Sequence, residues 1–170
     1  GEAFKAGGRV VKNVTGFDIP KLVCGAFGTL CVLTELTFRV YPRPPCTLHL
    51  AVKDVSPSRG FELLRRAWSS PIEPTGLAYL PPAVPIGRKG GLQGGTALFR
   101  LEGERGPLEE KEAYLRQLLA GHAVTATEED LFAFVANGTD FVNSGLDLWR
   151  VHLPPANAAK FVAEVGLARW

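Results

Sequence analysis

The chain contains no methionine and only three histidines among its 170 residues. It opens Gly1-Glu2-Ala3, and an apolar helical pattern runs into Gly166-Leu167-Ala168-Arg169-Trp170 with no polar tail behind it. Both ends are therefore expected to be cuts in a longer protein. No apolar run approaches the roughly 20 residues needed to cross a bilayer, and no basic segment leads into an apolar one as in a secretory leader. The expectation is a soluble, cytoplasmic chain with no transmembrane segment. Net charge is almost balanced, at +2. The basic residues are scattered instead of banked into a stripe, which argues against nucleic acid or an acidic membrane surface as a partner.

Cysteine is scarce as well. Cys24, Cys31 and Cys46 are odd in number, with no C-x-x-C spacing and no histidine beside them, so buried, reduced thiols are expected in place of disulfides or metal ligands. His49, His122 and His152 lie far apart, whereas metal-ligand pairs normally come at short helical or strand spacing, so no metal site is expected. What the chain does have is a hydrophobic content of 46%. That is enough for a sizeable core in one domain, or in a domain plus a piece.

The most informative stretch runs from Gly7 to Pro42. From Leu30 to Tyr41 the residues alternate: Leu30, Val32, Thr34, Leu36, Phe38 and Val40 fall on one face, and Cys31, Leu33, Glu35, Thr37, Arg39 and Tyr41 on the other. A period of two with β-branched and aromatic residues predicts a strand, buried on both sides at its start and emerging toward solvent from Glu35. Pro42, Pro44 and Pro45 end it, because they lack the N–H a ladder needs. Just before the strand lies Gly25-Ala26-Phe27-Gly28-Thr29. Its glycines allow positive φ and close backbone approach, leaving the Gly28 and Thr29 N–H groups to face a ligand. The loop leads into a strand and not a helix, so it is not the Rossmann phosphate fingerprint. Spacing alone leaves a plain tight turn and a ligand loop both open.

The whole string decides further. Lys12-Asn13-Val14-Thr15-Gly16-Phe17-Asp18, Lys21-Leu22 and Gly25-Ala26-Phe27-Gly28-Thr29-Leu30-Cys31-Val32-Leu33-Thr34-Glu35 resemble the end of the FAD-binding domain of the vanillyl-alcohol-oxidase (PCMH) type. Within that superfamily they are most similar to FAD-binding subunits of glycolate oxidase, with D-lactate and D-2-hydroxyacid dehydrogenases as relatives. Phe17 stands where those relatives have Tyr, Ala26 where they have Ser, and Cys31 where they have Gly. Phe17 thus lacks a hydroxyl, while the loop's glycines are intact. The resemblance implies that Gly25, Gly28, Thr29 and Val32 lie against the adenosine and diphosphate side of FAD, with Asn13, Val14 and Gly16 nearer the ring. For Val32, core packing accounts for the residue type equally well. Most of the diphosphate site of such a domain lies in an N-terminal subdomain that this sequence does not include.

Beyond the prolines, Cys46–Lys53 alternates as a strand, and Ser56-Pro57 opens a helix with Ser as cap and Pro in its first turn. Phe61, Leu64 and Trp68 form its apolar stripe, with Arg59, Glu62, Arg65 and Arg66 on a solvated face. Gly76–Leu80 is a second strand, and Pro81–Gly95 is a Pro- and Gly-rich loop. Thr96–Glu102 is a third strand. Gly106-Pro107 opens a helix with Leu108, Leu115, Leu118 and Leu119 on one face, a Glu112–Arg116 pair and a stop at Gly121. Thr127 to Asp130 reads as a capping box before Leu131–Val135. Asn137-Gly138 reads as a turn, Leu146–Leu153 as a strand, and Pro154-Pro155 as the start of a last helix. Arg9-Val10-Val11 is a brief strand candidate, and Asp18 caps one or two helical turns to Val23. The fold class is therefore α+β: residues 1–43 are the C-terminal portion of the FAD-binding domain, and 44–170 a truncated cap domain, an antiparallel sheet with helices on one face.

The resemblance continues in Phe99-Arg100-Leu101-Glu102-Gly103 and in Leu148 to Pro155, within the segment that forms the cap over the flavin in that family. Leu148, Arg150 and His152 share one strand face. If it looks toward the flavin, Arg150 could hold a substrate carboxylate and His152 could take a proton; an ordinary exposed strand face explains the same residues. The metal-binding histidines of the D-2-hydroxyacid dehydrogenases have no counterpart motif here, as in an accessory flavin subunit. The function implied is an FAD-binding subunit of a glycolate oxidase complex that oxidises glycolate or another small 2-hydroxy acid. Electrons would pass to an iron–sulfur subunit beside a second flavin subunit, peripheral to the inner membrane through the complex. A free-standing D-lactate-type dehydrogenase and a non-catalytic docking module are the alternatives.

Overall fold

The computed structural model describes residues 1–10, 12, 16–82, 94–127, 130–137, 149 and 151–165. The chain divides into two units, Gly1–Pro42 and Arg43–Trp170.

The second unit is built on a sheet. Strand β1 (Cys46–Val52) leads through α2 (Pro57–Trp68) to β2 (Gly76–Leu80), then β3 (Thr96–Gly103), α3 (Arg105–Leu118) and β4 (Val124–Ala126), followed by α4 (Leu131–Asn137), a short 3-10 turn (Pro155–Asn157) and α5 (Ala158–Val165). The strands pair antiparallel in the order β2-β3-β1-β4. Two strand–helix–strand units interleaved in this order make the ferredoxin-like βαββαβ arrangement. Three residues of β4 were too few to stand out as a period-two run, and the sequence reading missed that strand.

Alternation sorts the sheet's side chains onto two faces. Leu50, Val52, Ala97, Phe99 and Leu101 form one, buried against Leu63, Leu64 and Ala67 of α2 and Leu108 and Leu115 of α3. Ala51, Leu80 and Leu98 form the other, capped by Leu131 of α4 with Phe132 alongside. The two long helices thus share the expected face, and the short α4 covers part of the opposite one. α5 lies against α2.

Several local expectations need correction. The buried stripe of α2 is Gly60, Leu63, Leu64 and Ala67, and Trp68 is 71% exposed. The small Gly60 and Ala67, not the large Trp68, face the sheet. Arg59 and Arg66 are not merely solvated: Arg59 Nε donates to His122 Nε2 at 3.1 Å and Arg66 Nη2 donates to the Leu118 carbonyl, tying α2 to α3 and the turn after it. The cap of α4 is Asp130, whose Oδ1 accepts the Ala133 N–H at 3.2 Å. The helix itself begins at Leu131, and Glu128 and Glu129 of the expected capping box lie outside the described residues. Trp149 and Val151–Leu153 form no strand, and the rest of the expected Leu146–Leu153 strand lies outside the described residues. So do most of the Pro81–Gly95 loop and Gly138. Finally, none of the cysteines is buried: Cys24 is exposed, and Cys31 and Cys46 are half-buried free thiols.

The N-cap of α2 and the glycine after α3 follow from sequence, whereas α3 begins at Arg105, one residue before the expected Gly106, with no side-chain cap. Ser56 Oγ accepts the Arg59 N–H at 3.4 Å with Pro57 in the first turn. Glu112 accepts from Arg116 at 2.8 Å one turn on, and Gly121 takes φ +94° after α3.

Candidate functional site

In the first unit, Asp18 caps α1 (Ile19–Val23), accepting the Lys21 N–H at 3.4 Å. The Lys21 ammonium lies 2.8 Å from the same carboxylate, and this hydrogen bond holds the Asp18 carboxyl below its ordinary range despite some desolvation, while raising Lys21. Pro20 sits in the first turn, where its missing N–H costs nothing. After Cys24 the chain reverses twice, with Gly25 at φ +83°, Phe27 at +50° and Gly28 at +74°. Three residues in the left-handed region within four positions make a tight double turn. A Cβ at Gly25 or Gly28 would meet nothing within 4 Å, so φ and not crowding selects glycine there.

Two hydrogen bonds close the turns: Ala26 N–H to the Val23 carbonyl at 3.1 Å, and Thr29 N–H to the Ala26 carbonyl at 3.0 Å. The Thr29 hydroxyl donates to the same carbonyl at 2.7 Å. This corrects the expectation that both amides face a ligand. Thr29 N–H is consumed by the turn, and among the described residues only the Gly28 N–H of that pair is left without a partner. A glycine doublet signals positive φ but not which amide the turn itself consumes.

Beside the double turn lies a half-open groove of about 310 Å³ lined by Val23, Ala26, Gly28, Cys31, Val32 and Leu33. That is near the lower end of the roughly 300–1,000 Å³ of small-molecule sites. Its walls are apolar, with no charged side chain. Such walls suit apolar contact with a flat ring, and the Gly28 N–H is an unused donor on the same turn.

The expected strand from Leu30 to Tyr41 forms no β-ladder among the described residues. Its alternation is real, but a strand needs a hydrogen-bonding neighbour, and the described residues of the first unit supply none. Accordingly, none of its described residues is buried, with Val32 87%, Phe38 75% and Val40 82% exposed. Arg9 and Val10 are not in a ladder either. Of the residues singled out from the sequence, Gly28 and Val32 line the groove, while Gly25 and Thr29 belong to the adjoining double turn and not to its wall. Gly16 is exposed at φ +79°. Asn13, Val14 and Arg150 lie outside the described residues, and His152 is exposed on irregular chain.

No group of three or more His, Cys, Asp or Glu residues able to hold a metal occurs among the described residues. No described helix is long and apolar enough to cross a membrane.

No protein-family model matches the chain. It is 31% identical over 160 residues, 91% of its length, to glycolate oxidase subunit GlcE of Escherichia coli, of which the match spans 38%. Over nearly its whole length the chain is thus similar to GlcE. It is also 28% identical over 145 residues to glycolate oxidase subunit GlcD of Bacillus subtilis, a match spanning 78% of this chain and 31% of that protein. A 43-residue stretch, 25% of the chain and 9% of the relative, is 42% identical to an FAD-linked oxidoreductase of Mycobacterium tuberculosis. The chain thus covers well under half of each of these relatives.

Proposed function

We propose that this chain is part of an FAD-binding subunit of a glycolate oxidase, an enzyme that oxidises a small 2-hydroxy acid. The observation that supports this most is the similarity to E. coli GlcE along 91% of the chain. The groove beside Gly25–Thr29 fits the assignment: it is open, apolar and small, and the Gly28 N–H on its wall has no partner among the described residues. FAD, when bound, supplies the hydride acceptor.

The chain's own part is to hold and orient. Gly25 and Gly28 set the double turn, the Gly28 N–H meets a polar atom of the cofactor, and Val32 and Leu33 shield one face of it from water. Asn13, Val14 and Gly16 would complete the contact nearer the ring. Arg150 and His152 remain candidates for substrate carboxylate and proton. Electrons leaving the flavin would pass to an iron–sulfur subunit, with a GlcD-like second flavin subunit in the same assembly at the inner surface of the membrane.

The test is the full-length protein, purified alone and with its partner subunits, mixed anaerobically with glycolate. The expected result is a yellow protein whose flavin absorbance bleaches in the complex. A colourless protein, or a yellow one that no 2-hydroxy acid bleaches with all subunits present, contradicts the proposal.

A further inference from the structure

On the sheet face opposite α2 and α3, the second unit carries a polar constellation that sequence spacing did not bring together. His49 on β1 and Arg100 on β3 are direct cross-strand partners, so their side chains leave the same face about 5 Å apart at Cβ. Phe132 of α4 touches both: its ring centroid lies 5.8 Å from that of His49 and 5.4 Å from the Arg100 guanidinium carbon. Space for the ring comes from Gly76, the β2 partner of Arg100. A Cβ at Gly76 would come within 2.9 Å of Phe132 Cε1 and 3.2 Å of Arg100 Cβ. Asp130 Oδ1 lies 3.9 Å from His49 Nε2.

Arg100 is held in place along one edge. Nε donates to Thr75 Oγ1 at 3.3 Å and Nη2 to the Thr75 carbonyl at 3.1 Å, and Glu102 Oε1 is 3.8 Å from Nε. Those contacts leave Nη1 and the second Nη2 hydrogen without a partner among the described residues. They form the end-on fork that accepts a carboxylate through two parallel bonds. The side chain is 31% exposed, and its Thr75 bonds fix the Nε edge. An arginine serving only to tie β3 to Thr75 would not need a glycine cut opposite it to seat an aromatic ring over its guanidinium.

Resting on the function proposed above, we propose that Arg100, in place of Arg150, binds the carboxylate of the small 2-hydroxy acid. Phe132 is the apolar roof of that niche and His49 its polar wall. The ligand class is a short carboxylic acid with no bulky substituent, because the niche is bounded by one ring and two strands. The site lies wholly in the second unit.

Calorimetric titration of the full-length flavoprotein with glycolate and with glycolamide, which lacks the negative charge, tests it. Wild type should bind glycolate saturably and glycolamide at least about tenfold more weakly. Arg100→Gln should lose that discrimination at unchanged flavin content, and Arg100→Lys should recover part of it, the charge returning without the fork. Arg39→Gln, an exposed arginine of the first unit, should leave binding as in wild type. Equal glycolate affinity in wild type and Arg100→Gln, or no glycolate binding by wild type, overturns the assignment. Glycolate that binds through Arg100 but does not bleach the flavin leaves the assignment standing and sinks the oxidase reading instead.

Discussion

Gly60 shows how one absent side chain shapes the second unit. A Cβ there would lie 2.4 Å from Tyr79 Cδ2, so the Tyr79 ring packs directly on the α2 backbone. The Tyr79 hydroxyl in turn donates to the Val55 carbonyl at 2.9 Å. Gly60→Ala should destabilise the unit by about 1–3 kcal/mol through overpacking, read as a lower urea midpoint at unchanged slope. Tyr79→Phe should cost about 1 kcal/mol, the net worth of one hydrogen bond. Burial raises the Tyr79 phenol above its usual value, so the folded state favours the protonated form. That contribution is complete below about pH 10, the ordinary phenol value, and is lost as pH rises through the raised one. Alkaline melts should show wild type losing its advantage over Tyr79→Phe above that pH; an advantage unchanged by alkali would contradict the account. Little of this was legible beforehand. Helical spacing placed Trp68 on the apolar stripe and gave Gly60 no part, because it ranks residues by hydrophobicity and cannot see that a tyrosine from β2 needs a gap.

At the scale of elements, local chemistry predicted more than periodicity did. Ser56 before Pro57, Asp18 before Pro20 and Gly121 after α3 announced helix ends that the structure places within a residue or two. Ser56→Ala and Asp130→Ala should each cost about 1 kcal/mol, the usual worth of a cap, measured by urea unfolding. Asp130→Ala should in addition loosen Phe132 over Arg100, visible as line broadening of the Phe132 ring signals. A loss of stability with Phe132 signals unchanged would show that α4 is held by Leu131 alone. The strands divide instructively. β1, β2 and β3 were readable because each alternates and finds neighbours in the chain. Leu30–Tyr41 alternates as well but has no ladder partner among the described residues of its unit, and pairing is a property of two segments, not one. β4 is short and follows a turn; only its pairing with Leu50–Val52 makes it a strand.

For the whole molecule, the second unit has its own two-sided core around Phe99, Leu50 and Leu98, whereas the first buries no described residue. Phe99→Ala should therefore cost about 3–5 kcal/mol and abolish cooperative unfolding of the second unit. The first unit's groove is a wall without an opposite wall. Residues 1–170 alone should therefore not retain flavin through desalting, and a stoichiometric flavin absorbance afterwards would contradict that. The family was legible from the string around Gly25–Thr29. The Arg100 niche was not, because its members come from three strands and a helix that only the fold assembles. The central claim is that the double turn at Gly25 and Gly28 helps to hold a flavin. The most direct measurement is flavin affinity of the full-length protein, wild type against Gly28→Val. Forcing a β-branched residue to φ +74° costs at least about 1–2 kcal/mol and should weaken flavin binding about tenfold or more at unchanged second-unit stability. Identical affinity in the two proteins would contradict the account.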